Sequence, residues 1–280
     1  MAVTNGWGKG VDNNTINWGR GKDNATNNWG KIYETSASGD TALAVSTPSF
    51  SNTYSVEMDG TDDYIKTDAI YSALDGGTKA SFSVWVKPDS GAPKLEYVFH
   101  NPRSGTANQG QFGLVLFEDN SVQLYVQAFN SQRVLGDISY ITYGSRNHIL
   151  VTIDLALSAG NEAKMYINGV DRTTTSAMGT LTNFYNATDK FYIGEEANGG
   201  YNPYNGKMDE LAIWAGTTLT SSDATTLYNL GVPTNLATFS TPPSNWWRFE
   251  EGGGTTISDS SGSADATIIN QTTFTTDVPT

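Results

Sequence analysis

Asp59, Asp62 and Asp63 fall within one short segment, Met58-Asp59-Gly60-Thr61-Asp62-Asp63-Tyr64, in which Asp59-Gly60 starts a turn. A hard cation such as calcium takes about six to eight oxygens from carboxylates and carbonyls, so a turn of this kind is a candidate cage. The same side chains equally suit ordinary turn chemistry, in which Asp caps backbone N–H groups. The histidines, His100 and His148, stand on separate predicted strands and outside any His-x-x-x-His spacing, so zinc is not expected. Glycoside hydrolysis needs two carboxylates facing one another about 5–9 Å apart. Glu195-Glu196 and Asp209-Glu210 are adjacent pairs, and strand alternation sends the members of each to opposite faces. No Gly-x-Ser-x-Gly elbow and no phosphate-cradling glycine loop is present, and the chain is not expected to be an enzyme.

Sugar recognition calls for aromatic faces beside Asn, Asp, Gln or Arg. Tyr201, Asn202 and Tyr204 supply that chemistry in one predicted loop, and Arg103 and Asn108 supply it in another. Alternatively, Tyr201 and Tyr204 pack their loop onto the sheet. Trp246-Trp247 should send one indole to the core and the other, exposed, to the opposite face, where it would serve an interface. At the N-terminus, Trp7-Gly8, Trp18-Gly19 and Trp29-Gly30 recur among Asn, Asp, Thr and Gly. Such a stretch cannot build a core of its own. It reads either as a low-complexity leader or as an anchor, with Trp7, Trp18 and Trp29 inserting into pockets of a larger partner.

These groups need a scaffold, and the patterning predicts an all-β one. Hydrophobic residues make up 38% and charged residues 16% of the 280, with 29 glycines, a composition suited to short strands joined by turns. Period-two alternation marks strands at Tyr54–Met58, Tyr64–Thr67 and Ala80–Pro88, the last with Phe82, Val84 and Val86 on one face and Trp85 on the other. Further strands are expected at Tyr97–His100, Gln111–Phe117, Val122–Ala128, His148–Asp154, Ala163–Ile167, Lys190–Ile193, Lys207–Trp214, Asn245–Glu250 and Ala266–Asn270. One helix is expected over Thr220–Leu230, with Thr220 or Ser221 as N-cap and Gly231 as its stop. The resulting division is an arm at 1–33, a polar linker and first strand at 34–53, a body at 54–235, and at 236–280 a tail that packs back on the body.

A formal charge of −13 disfavours a nucleic-acid partner. No segment has the apolar length of a membrane span, and no secretory leader is visible at the N-terminus. The absence of cysteine excludes disulfides and fits synthesis in a reducing cytoplasm.

The ordered series Val56–Ile65, Phe82–Pro88, Lys164–Gly169, Tyr192–Gly194 and Tyr204–Trp214 resembles the laminin-G-like, concanavalin-like jelly-roll family. That resemblance implies a jelly-roll sandwich and a module that binds rather than catalyses. It also places Asp209 on a strand near the acidic turn, as a calcium ligand beside Asp59, Asp62 and Asp63. The Glu-x-Asp-x-x-Glu run of jelly-roll glucanases is missing. The Trp-Gly arm resembles leaders of structural proteins of tailed bacteriophages. This second resemblance implies a virion protein made in host cytoplasm: a capsid decoration, head fibre or collar/tail appendage. Its partners would be other virion proteins and cell-surface glycans, and it would be a homo-oligomer. The alternative is a stand-alone carbohydrate-binding or adhesion module of a bacterium.

Overall fold

The computed structural model describes residues 32–36, 39–43, 50–67, 70, 74–89, 95–102, 111–128, 131–137, 140–174, 182–184, 191–196 and 202–280. The chain divides into two compact units, 1–51 and 52–280. In the first, β1 (Ile32–Ser36) and β2 (Gly39–Leu43) pair as an antiparallel hairpin, within a stretch that the sequence presents largely as polar linker. Trp7, Trp18 and Trp29 lie outside the described residues.

Among its described residues the second unit is all-β apart from one short α-helix and two single-turn 3-10 helices, Asn229–Gly231 and Leu236–Thr238. In chain order its strands begin β3 (Ser55–Asp59), β4 (Tyr64–Thr67), β5 (Lys79–Pro88), β6 (Leu95–Asn101), β7 (Gln111–Phe117), β8 (Val122–Ala128) and β9 (Ser131–Asp137). They continue with β10 (Asn147–Asp154), β11 (Ala163–Ile167), β12 (Val170–Asp171), β13 (Phe191–Ile193) and β14 (Asn205–Ala215). Helix α1 (Ser221–Tyr228) follows, and then β15 (Asn245–Trp247), β16 (Thr256–Ile257), β17 (Ala266–Ile269) and β18 (Thr273–Thr275). One eight-stranded sheet runs β12-β11-β10-β5-β14-β3-β18, with β15 also paired to β14. The other runs β16-β17-β4-β13-β6-β7-β8-β9. Every pairing is antiparallel, and the two sheets form the layers of a concanavalin-like jelly-roll sandwich.

The core comes from the inward positions of both sheets. Phe82 of one lies 5.3 Å from Phe99 and 5.1 Å from Phe112 of the other, ring centre to ring centre, and Phe191 stacks toward Trp247 at 6.4 Å. Phe82, Val84 and Val86 join this core, and Trp85 lies on the far face against His148 and Tyr228.

Three sequence expectations are corrected. β9 carries no clean alternation and is missed by pattern alone. The helix has its cap at Thr220, in a reciprocal pair with Asp223, but its left-handed turn begins at Asn229 (φ 42°), two residues before Gly231. Trp246 and Trp247 do face opposite ways, yet neither indole is exposed. Trp247 donates to the Ala264 carbonyl from within the core. Trp246 donates to Glu210 beneath the Arg248 guanidinium.

The C-terminal segment is held by one carboxylate. Asp259 Oδ1 accepts from the N–H groups of Trp246, Ser261 and Gly262, and Oδ2 accepts from Asn245 Nδ2 and the Ala264 N–H. These donors hold its acid below the usual range against the opposing effect of burial. Asp259→Ala strands all of them at once, and the expected loss is roughly 3 kcal/mol or more, read as a lower denaturant midpoint with an unchanged m-value.

Candidate functional site

Register places one row of side chains straight across the second sheet. Thr267, Lys66, Tyr192, His100, Gly113 and Tyr125 are successive partners on β17, β4, β13, β6, β7 and β8. Their sequence neighbours Ile65, Ile193, Phe99, Phe112 and Leu124 point into the core, so alternation turns this row outward. Tyr64, two residues from Lys66, joins the same face with its ring 5.8 Å from that of Tyr192. Tyr97 sits edge-on to His100 at 5.0 Å. It leans over Gly113, where a Cβ would lie 2.9 Å from its ring, so the absence of a side chain makes room for the phenol. A register shift between Tyr97 and Phe99 gives Tyr97 this position.

Carboxylates border the face. Glu196 acts on Tyr97 and accepts from Asn202 Nδ2 at 2.9 Å, and the Asn202 carbonyl accepts from the Tyr97 N–H at 3.0 Å. Glu195 is buried, which pushes its acid up to about 7, with Asp62 adding to the rise and Lys66 opposing it. His100 is also buried and stays neutral, its acid falling to about 4. Of the sugar-site residues suggested by sequence, Asn202 therefore borders the aromatic face. Tyr204 does not: it is fully enclosed, with its hydroxyl given to the Lys207 carbonyl, and packs its loop onto the core. Tyr201, Arg103 and Asn108 lie outside the described residues. The row itself escaped sequence reasoning, because its members come from separate strands and only the pairing register joins them.

The acidic turn forms as a cluster. One carboxylate oxygen from each of Asp59, Asp62 and Asp63 falls within 4.8 Å of the others. Much of its capacity is spent on capping: Asp63 accepts from the N–H groups of Asp59 and Gln271, and Asp59 accepts from the Thr61 N–H. Burial raises the Asp63 acid against these hydrogen bonds.

Asp209 is not part of that turn. Asn205 is the partner of Asp59, so Asp209 lies four residues along β14, about 13 Å away at some 3.3 Å per residue. It sits instead at a bulge, where the register slips between Asp209 and Ala212 and Glu210 takes φ +50°. The bulge breaks the alternation expected for Asp209-Glu210, and both side chains are buried. Asp209 accepts from Asn52 Nδ2 at 3.0 Å, while Asp209 Oδ1 and Asn52 Oδ1 have no donor. Burial and the neighbouring Glu210 hold the Asp209 acid well above its ordinary value, opposed by Asn52 and Arg146. Burial pushes Glu210 up to about 8, opposed by Arg248 and Trp246. Glu250 lies near both and accepts from the N–H groups of Thr53 and Tyr54.

Ser83 Oγ and His148 Nε2 approach to 2.8 Å on the outer face of the first sheet. Both residues are buried, and His148 Nδ1 has no carboxylate to orient it. The pair therefore lacks the third group and the access that a nucleophile requires.

Gly113→Ala tests the aromatic face. Its methyl would meet the Tyr97 ring and, at 3.0 Å, the Phe99 carbonyl. Destabilisation of about 1–3 kcal/mol is expected, with a changed near-ultraviolet dichroism as Tyr97 is displaced.

Comparison with known proteins agrees with this architecture. The laminin G (type 3) family profile, described as the concanavalin A-like lectin/glucanases superfamily, matches residues 59–225. The solved structure of the IT-sialidase CBM40 of Ruminococcus gnavus is similar at 11% identity, covering 64% of this chain and all of that one, with a TM-score of 0.50. The native heptameric SAP-like pentraxin of Limulus polyphemus is similar at 15% identity, covering 78% of this chain and 94% of that one, with a TM-score of 0.49. No curated protein sequence matches. The profile spans more than half of the residues, and the chain belongs to the concanavalin A-like lectin/glucanases superfamily.

Proposed function

We propose that this protein is a non-catalytic glycan-binding module displayed on a bacteriophage virion, with residues 1–33 as its anchor to neighbouring virion proteins. The observation that carries the binding reading is the outward row on the second sheet. Tyr64, Tyr192 and Tyr125 are half-buried there, with apolar faces for sugar rings, and Lys66, Glu196 and Asn202 stand beside them to pair with hydroxyls. The virion reading is supported by the evenly spaced Trp7, Trp18 and Trp29. Display in many copies would let weak single sites act together.

Calcium enters this proposal as a structural ion. The acidic turn supplies the ligands: Asp59, Asp62 and Asp63 each bring a carboxylate oxygen within 4.8 Å of the others, and a hard cation binds through such oxygens. It would tie together the turn between β3 and β4 rather than touch a glycan.

One set of proteins tests these statements: the full chain, Tyr192→Ala, Asp62→Asn and a chain lacking residues 1–33. On a glycan array the full and arm-deleted chains should bind the same sugars, and Tyr192→Ala should bind at least ten-fold more weakly. Chelation should lower the melting temperature of the full chain and leave that of Asp62→Asn unchanged. Arm deletion should abolish incorporation into particles. Incorporation without the arm would contradict the anchor, and full binding by Tyr192→Ala would contradict the aromatic face.

A further inference from the structure

Glu96 stands on β6 in register with Leu116 of β7, which is itself paired with Val122 of β8. All three side chains are fully buried, and the two aliphatic ones belong to the core. A carboxyl group therefore points into the interior of the sandwich, and neither of its oxygens completes a hydrogen bond. A buried polar group in that state is costly unless it is kept neutral.

Three segments converge on it. Asp89, just beyond β5, donates its N–H to the Asn205 carbonyl at 2.9 Å. Gly144, next to Tyr143, donates to the Pro88 carbonyl at 2.7 Å. Tyr204 leads into β14, which begins at Asn205, and the Asn202 carbonyl accepts from the N–H of Tyr97, the residue next to Glu96. The two phenols facing Glu96 give their protons elsewhere, Tyr143 to the Phe117 carbonyl and Tyr204 to the Lys207 carbonyl. Burial opposes the anion most, the Asp89 carboxylate adds to that opposition, and the nearby Asn205 N–H favours the anion without completing a hydrogen bond to it. Farther out, Arg146 acts on Tyr204, Glu118 and Asp119 act on Tyr143, and Lys207 reaches Asp89 at 3.7 Å.

We propose that Glu96 is a proton-operated latch on the Asn202–Asn205 segment. As a neutral acid it lets Asp89, Tyr143 and Tyr204 close over one end of the sandwich. As an anion it draws water in and frees the segment from β6. Because Asn202 holds the N–H of Tyr97, the latch also sets the order of the outward aromatic face. The proposal stands whether or not that face binds a glycan.

The sign follows from proton linkage. Burial pushes the closed-state acid up from 4.5 to about 8, whereas a hydrated carboxyl in the open state keeps the lower value. The closed form is favoured fully below the lower value and loses that advantage as pH rises toward the upper one. Over that interval the opening constant grows about ten-fold per pH unit, and it levels off above it.

The test is amide hydrogen exchange of the full chain, followed by mass spectrometry from pH 5 to pH 9 and corrected for the intrinsic pH dependence of exchange. Protection of peptides covering Asn202–Met208 should fall steeply with pH up to about 8 in the wild type. It should be nearly flat in Glu96→Gln, which keeps the shape without the titration. Glu195, Glu196 and His100 lie near the same segment, so the difference between wild type and variant carries the result. Glu96→Leu, which matches its neighbours Leu116 and Val122, serves if the glutamine variant does not fold. A flat wild-type profile, or the same slope in either variant, would overturn the latch.

Discussion

Everything in the sandwich depends on β14 serving different partners along its length. On one edge it pairs with β5 on both sides of the bulge, and on the other it pairs with β3 through Asn205–Met208 and with β15 through Leu211–Ile213. The change of partner falls at Glu210, whose left-handed backbone costs roughly 1–3 kcal/mol for a residue with a side chain. The carboxyl is compensated by the incoming segment: Trp246 and Arg248, from β15 and the residue beyond it, both donate to Glu210. The bulge therefore admits the C-terminal segment to the first sheet. β17 then extends the second sheet beside β4, and β18 closes the edge of β3.

This arrangement explains what the sequence could and could not disclose. Strands such as β5, β7 and β10 were legible because alternation or a continuous apolar run marks them locally. The cap of α1 was legible because Thr220 and Asp223 carry their own hydrogen-bonding logic. The bulge was not, since nothing in Lys207-Met208-Asp209-Glu210-Leu211 announces a residue at positive φ. Once the slip occurs, the alternation rule that separates Asp209 from Glu210 no longer applies. Asp209 then lies with Asn52 and Glu250, away from the acidic turn with which the family resemblance grouped it.

The aromatic face was hidden for a different reason. Lys66, Tyr192, His100, Gly113 and Tyr125 share one row through pairing between distant segments, and no local spacing encodes that juxtaposition. Composition pointed instead to the Tyr- and Asn-rich loop before β14. That loop supplies Asn202 to the border of the face but spends Tyr204 on the core. The same loop acts on Glu96 electrostatically and holds the N–H of its neighbour Tyr97, so a single segment links the interior acid to the outer surface. In a fold whose members share architecture across many functions, such placements carry the functional argument.

The central claim is that ligands are held on the outer face of the second sheet. It is tested most directly by mapping backbone amide chemical shifts of the isotope-labelled chain during titration with an oligosaccharide that it retains on an array. The account predicts saturable shifts concentrated at Lys66, Tyr192, His100, Gly113 and Tyr125, with β10 and β11 unmoved. Shifts confined to the first sheet, around Trp85 and Tyr166, would contradict it.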